Sequence, residues 1–254
     1  IYTYKTTTHP DFAEKMYVEP ILMTLYGAIA SAKTMSLTEG KDIWGAEYTT
    51  TSTTYYTKIE HNRPLQTQVH AKTTGLNLFG ESYTTTSDTY YKYTTKIGTQ
   101  ADGIFKGRTI YAVIDNSLTK NPRTGTLTLK TYTVSATAGL DIWGAKYTTT
   151  STTTYAMEHN RPLQDKVAAY TIGKNLFGER YTTTSATTYG YKDGLTGRKV
   201  LGEIKSASTS STTNGSDVWG AKYTTISATE YLIEHNRPLQ TNVNAATTGY
   251  NLFG

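Results

Sequence analysis

Polar and apolar side chains alternate with a period of two along most of this chain. In 147–155, Tyr147, Thr149, Ser151, Thr153 and Tyr155 fall on one side and Thr148, Thr150, Thr152 and Thr154 on the other. Thr and Tyr fit a pleated, half-buried surface, so the stretch reads as a strand, although neither side is an aliphatic core face. Closely similar stretches begin at Tyr48, Tyr83, Tyr181 and Tyr223. One segment departs from this period. Residues 11–33 carry Phe12, Met16, Tyr17, Ile21, Leu22, Leu25, Ala28, Ile29 and Ala32 at helical spacing, which predicts an amphipathic helix packed on the sheet or capping it. Its uncharged part, 20–32, is too short to span a bilayer, and no membrane partner is expected.

The strands belong to a repeat. Asp141-Ile142-Trp143-Gly144-Ala145 precedes Tyr147, and near-identical boxes hold Trp44 and Trp219. Each is followed by Glu-His-Asn-Arg-Pro-Leu-Gln, at 60–66, 158–164 and 234–240, and then by Asn-Leu-Phe-Gly with Phe79, Phe177 or Phe253. The Phe box is a variant of the Trp box, so the unit is itself double. Trp143 to Phe177 and Trp219 to Phe253 are 34 positions, and Trp44 to Phe79 is 35. The extra residue lies within 55–59, and a bulge or turn in the first unit must absorb it, because a one-residue slip turns every later side chain to the other face.

The expected fold is all-β: a tandem repeat array, solenoid- or sandwich-like, of ~34-residue half-units with one N-terminal helix. Its parts are an N-terminal strand and helical segment (1–41), a first unit (42–91), a β-rich insert (92–140), a second unit (141–191), a short insert (192–216) and a truncated third unit (217–254). The chain is expected to be a piece of a longer polypeptide. In the long insert, 121–125 reads as a turn before a strand at 126–129, and the Ser/Thr/Asn/Gly run 206–216 reads as a loop. Trp44, Phe79, Trp143, Phe177, Trp219 and Phe253, with the aliphatic residue before each, are the expected buried anchors. Arg63-Pro64, Arg161-Pro162 and Arg237-Pro238 are expected to form turns in which Pro ends the strand and Arg pairs with a neighbouring acid or carbonyl.

Composition narrows the chemistry. Mean hydropathy is −0.49, and 22 Tyr stand against 5 Phe and 3 Trp. No Cys is present, so there is no disulfide and no thiolate metal site. The net charge of +5 is scattered, without the basic run that marks a nucleic-acid groove. No nucleophile elbow, zinc-protease helix or phosphate loop appears, and no enzyme, cofactor or metal is expected. The Glu-His pairs are expected not to form a metal site.

The Tyr/Thr stretches combine low charge and high β propensity without Pro or Gly, which favours cross-strand assembly. Tyr48, Thr50, Tyr147, Thr149, Tyr181, Thr183 and Tyr223 mark the expected assembly strands. The expected function is a non-enzymatic extracellular or surface component, compatible with a cell surface or a virion, that joins copies of itself into a fibre, sheath or layer. The alternative is a multivalent carbohydrate-binding adhesin or lectin, with glycans as partner. A sugar binder would expose a Trp in each unit, and a structural assembly would bury it.

Overall fold

The computed structural model of the protein describes residues 2–4, 29–41, 45–76, 79–98, 106–115, 118–120, 127–129, 131–158, 161–192 and 202–250. The strands are β1 (Tyr2–Tyr4), β2 (Ile29–Lys41), β3 (Glu47–Tyr56), β4 (Lys58–Glu60), β5 (Arg63–Leu65), β6 (Gln68–Leu76), β7 (Ser82–Tyr90), β8 (Tyr93–Ile97) and β9 (Thr109–Ile114). They continue as β10 (Leu118–Lys120), β11 (Leu127–Leu129), β12 (Tyr132–Leu140), β13 (Lys146–Glu158), β14 (Arg161–Lys174), β15 (Arg180–Tyr191), β16 (Ile204–Ser216), β17 (Lys222–Glu234) and β18 (Arg237–Tyr250). Twelve form one sheet whose spatial order follows the chain, β1-β2-β3-β6-β7-β12-β13-β14-β15-β16-β17-β18, with every neighbouring pair antiparallel. The pairs β4–β5, β8–β9 and β10–β11 make three small ladders outside it.

The protein is thus all-β, but the array is neither solenoid nor sandwich among the described residues. It is one open sheet. The only buried apolar residues described are Ala32 and Ala207, so among the described residues no second layer covers either face. The expected helix is corrected where it can be seen: 29–33 open strand β2, and 11–28 lie outside the described residues. The expected loop at 206–216 is also corrected. It lies within β16, because its alternating Ser and Thr pair in register with Thr and Ser on both flanking strands. Leu127–Leu129 is a strand, as the alternation there predicts, and the turn before it lies outside the described residues.

Register turns the repeat into rows that cross the sheet. Thr38, Thr50, Thr73, Thr85, Thr137, Thr149, Thr171, Thr183, Thr213, Thr225 and Thr247 stand side by side from β2 to β18. Two residues further along the strands lies a row of only Ser and Ala, from Ser36 to Ala245. Beyond it runs a row of only Thr and Val, from Thr34 to Val243. On the other side of the Thr row, Gly and Tyr alternate: Gly40, Tyr48, Gly75, Tyr83, Gly139, Tyr147, Gly173, Tyr181, Gly215, Tyr223, Gly249. Neighbours in a row are about 4.8 Å apart, and rows follow at about 6.7 Å.

The Gly positions have a steric cause. The ring of each Tyr lies across the Gly of the preceding strand, and a Cβ at Gly40, Gly75, Gly139, Gly173 or Gly215 would collide with it. A ring over a strand glycine shields backbone that would otherwise be bare, and it fixes the register of the pair.

The extra residue of the first unit has an outcome the sequence did not foreshadow. It is the later units that bulge. On the return strand, Asp165 and Thr241 are skipped between pairs Thr154↔Lys166 and Tyr155↔Gln164, and Glu230↔Asn242 and Tyr231↔Gln240. In the first unit Tyr56-Thr57 faces Gln66-Thr67, two against two, and no register is lost between Tyr55↔Gln68 and Lys58↔Leu65. Thr57 is held by Thr67 through a hydroxyl–hydroxyl bond of 2.9 Å.

Candidate functional site

Two faces and two rims are available to a partner. The face carrying the four rows has no charged side chain in any of them. The expected assembly residues Tyr48, Thr50, Tyr147, Thr149, Tyr181, Thr183 and Tyr223 all lie in its two leading rows. The Thr hydroxyls bond in pairs: Thr50–Thr73 at 2.9 Å, Thr85–Thr137 at 2.9 Å, Thr149–Thr171 at 2.8 Å, Thr183–Thr213 at 2.9 Å and Thr225–Thr247 at 2.8 Å. One hydrogen bond leaves each Thr oxygen with further capacity toward a second surface. The γ-methyl groups make the same row partly apolar.

The opposite face is irregular. His70, Lys72, Asp88, Glu230, Met35, Leu37, Tyr170 and Ile226 are interspersed there among Thr and Ala. Asp88 accepts from Gln68 Nε2 at 3.0 Å and lies 2.9 Å from His70 Nδ1.

One rim carries the aromatic boxes. Asp141 to Gly144 forms a type I turn, closed by Gly144 N–H donating to the Asp141 carbonyl at 3.1 Å, and the same turn recurs at Asn175 and Asp217. Gly144 at φ 90° completes a three-residue hairpin loop in a conformation that L side chains rarely adopt. Asp141 Oδ1 accepts from Trp143 N–H at 2.9 Å and Ala145 N–H at 2.7 Å, so one carboxylate oxygen serves the turn. The aromatic residue falls at the outermost turn position. Phe79 is 72% exposed, Trp143 64%, Phe177 75% and Trp219 74%. The expectation of buried anchors is therefore wrong for these four, and Ile142, Leu176 and Val218 are exposed with them. A one-layer sheet has no interior for a hairpin tip to enter. Trp44 and Phe253 lie outside the described residues. Successive tips are two strands, about 9–10 Å, apart along the rim.

The other rim carries the Glu-His-Asn-Arg-Pro-Leu-Gln segments. His61-Asn62 and His235-Asn236 are two-residue turns with φ of 51° and 59°, and 48° and 63°. Positive φ at both positions marks the type I′ turn that matches strand twist, and Asn tolerates it best after Gly. The expectation that Pro ends the strand is corrected. Pro64, Pro162 and Pro238 stand inside return strands, opposite Ile59, Met157 and Ile233. The tips of these hairpins reach past the ladders of their lateral neighbours, so the absent N–H breaks no sheet bond. Arg63, Arg161 and Arg237 are exposed and form no ion pair among the described residues, which corrects the pairing expected for them.

Other residues of this segment hold the rim together. Asn62 Oδ1 accepts from Ile29 N–H at 2.7 Å, and Asn236 Oδ1 from Ile204 N–H at 2.6 Å, so each tip bends onto the start of a neighbouring strand. Tyr93 donates to the Gln66 carbonyl at 2.7 Å and Tyr191 to the Gln164 carbonyl at 2.6 Å. Burial, with Tyr91 and Tyr56 nearby, pushes the Tyr93 phenol up to about 12. His61 meets the edge of Tyr111 at 4.7 Å between centroids, while His235 lines a shallow groove with Lys192 and Glu203 in the third unit. His61 and His235 sit on separate hairpins of the sheet, and His159 lies outside the described residues. Among the described residues no group of three metal-ligating side chains comes together.

Comparison of the chain with protein-family models, with curated proteins and with solved structures gives no match.

Proposed function

We propose that the protein is a non-enzymatic structural component, extracellular or surface-located, that assembles with copies of itself through its Tyr/Thr strands into a fibre, sheath or layer. The observation that carries this reading is the uncharged face of Gly/Tyr, Thr, Ser/Ala and Thr/Val rows with no layer over it among the described residues. Ordering each residue costs roughly 1–2 kcal/mol of backbone entropy, and a sheet without an aliphatic core returns little of it through burial. Face-to-face contact supplies apolar burial, and small side chains in straight rows allow close approach of a second sheet. Electron microscopy and light scattering of the full chain test it. Regular filaments or layers are expected, and a strictly monomeric particle at high concentration would remove the reading.

A second reading has its own support. The exposed aromatic tips Phe79, Trp143, Phe177 and Trp219 meet the criterion set for a multivalent sugar binder rather than for a structural assembly. Rings repeated along a rim can stack on successive sugars of an extended glycan and add avidity. A glycan array decides it. Strong binding by a monomeric protein, lost in Trp143→Ala with Trp219→Ala, would put this function in place of the first.

A further inference from the structure

The repeat changes charge along one row of the irregular face, the row beside the aromatic tips. In the first unit Glu47, Leu76 and Ser82 occupy it, and Glu47 pairs with Lys41 at 2.6 Å. The equivalent positions on β13, β14 and β15 hold Lys146, Lys174 and Arg180, directly side by side, and Lys222 follows on β17 beyond Ser216. Like charges opposite one another on neighbouring strands are destabilising. All four cations are exposed and form no ion pair among the described residues. The two rows behind them on β13 to β17 contain only Thr, Asn, Ile and Tyr. The acids of the same hairpins, Asp141, Glu179 and Asp217, take alternate positions and so belong to the other face. Asp141 and Asp217 serve turn amides, and Glu179 accepts from Asn175 Nδ2. A charge scattered along the chain is thus gathered in space. Lys146, Thr148, Ile172, Lys174 and Arg180 line one open groove. Lys174 rises toward the Phe177 turn, its Cε 3.7 Å from where a Cβ on Gly178 would stand.

We propose that this strip binds an acidic linear glycan, a chain of sugars carrying carboxylate or sulfate groups. Lys146, Lys174, Arg180 and Lys222 take the anionic groups, and Trp143, Phe177 and Trp219 on the same hairpins stack on sugar rings. The cation row and the aromatic tips both run across the strands, so one extended chain can follow both. Successive tips are about 9–10 Å apart, close to the length of a disaccharide. The strip is one row wide with acids on its far side, which suits a single thin chain rather than a nucleic-acid duplex. A lipid surface would require no common line of cations and rings. This rests on the sugar-binding reading of the tips and names its ligand class.

Isothermal titration of the full chain compares heparin and polygalacturonate oligosaccharides, the sulfate and carboxylate probes, with neutral cellohexaose. An acidic probe should bind about tenfold tighter than the neutral one, and less so as salt screens the cations. Lys174→Glu with Arg180→Glu should remove that preference. Lys72→Glu with Lys166→Glu makes the same charge change elsewhere on this face and should leave it within about twofold. Circular dichroism checks that both variants keep their strands. Equal affinity for acidic and neutral probes, or equal loss in the two double variants, overturns the proposal and leaves sugar binding standing. Binding of none of the probes overturns it as well, and the glycan array then decides the sugar-binding reading by itself. Tighter binding of single-stranded DNA or of phosphatidylserine vesicles than of either acidic probe overturns it in favour of that partner.

Discussion

The two faces of the sheet are built from the same strands, yet only one is ordered in two dimensions. Thr149 and Thr150 are neighbours in the chain. Thr149 belongs to an unbroken row of threonines, whereas Thr150 is flanked by Ala136 and Tyr170. A repeat that served only to form strands would constrain both faces alike, since backbone pairing ignores the side to which a side chain points. Uniformity on one face and drift on the other are what the proposed assembly predicts, with the first face against another copy and the second toward solvent. Thr and Tyr content alone could not show this, because it is similar on both sides.

The largest expected effect exploits that neighbouring pair. Thr149→Lys places a charge in the uncharged face and should disperse the assemblies, by like-charge repulsion between stacked copies and desolvation of the ammonium. Thr184→Lys lies on the mixed face and should leave particle size unchanged in the same light-scattering measurement. Equal behaviour of the two variants would erase the distinction between the faces. Next is stability. Gly173→Val drives a side chain into the Tyr181 ring and should cost about 1–3 kcal/mol in urea unfolding, as overpacking does. Ile172→Ala, on the other face and 51% exposed, should stay within about 0.5 kcal/mol.

Smaller effects are expected at the rims. Neutral Tyr93 is favoured by folding, so its contribution is complete below the ordinary phenol value of 10.0 and is lost as pH rises toward about 12. The stability difference between the native chain and Tyr93→Phe should shrink over that interval, and a difference that stays constant would exclude titration of this lock. The smallest change is expected from Trp143→Ala. The indole is solvated, and its removal should shift the unfolding free energy by less than about 0.5 kcal/mol, with native Trp fluorescence already close to that of indole in water.

Strand content and the double repeat were legible in the sequence, because Tyr/Thr alternation and near-verbatim boxes need no tertiary context. The burial of Trp143 and Trp219 was misjudged because reading a large aromatic as core assumes a second layer. The Ser-rich run 206–216 looked like a loop by composition alone. Its strand character comes from Thr183 and Thr225 on either side, which are distant in the chain. The glycine spacing carries a further signal. Gly40, Gly75, Gly139, Gly173, Gly215 and Gly249 each stand two residues before the Asp or Asn of a box. With Tyr eight positions after the first five, that spacing encodes the ladder. The bending of Asn62 and Asn236 onto Ile29 and Ile204 depends on strands more than 30 residues away in sequence and had no local trace.

The additional residue in the first hairpin sets a rule for how the gene can change. A codon gained near Thr57 falls beyond the paired ladders of both lateral neighbours, where the later copies already skip a residue, and every row across the sheet survives it. The same codon gained between Tyr48 and Tyr55 would invert the rest of that strand, exchanging the side that carries Ser52 and Thr54 with the side that carries Thr53 and Tyr55. Length polymorphism among natural variants should therefore gather at the overhanging tips and avoid the laddered stretches.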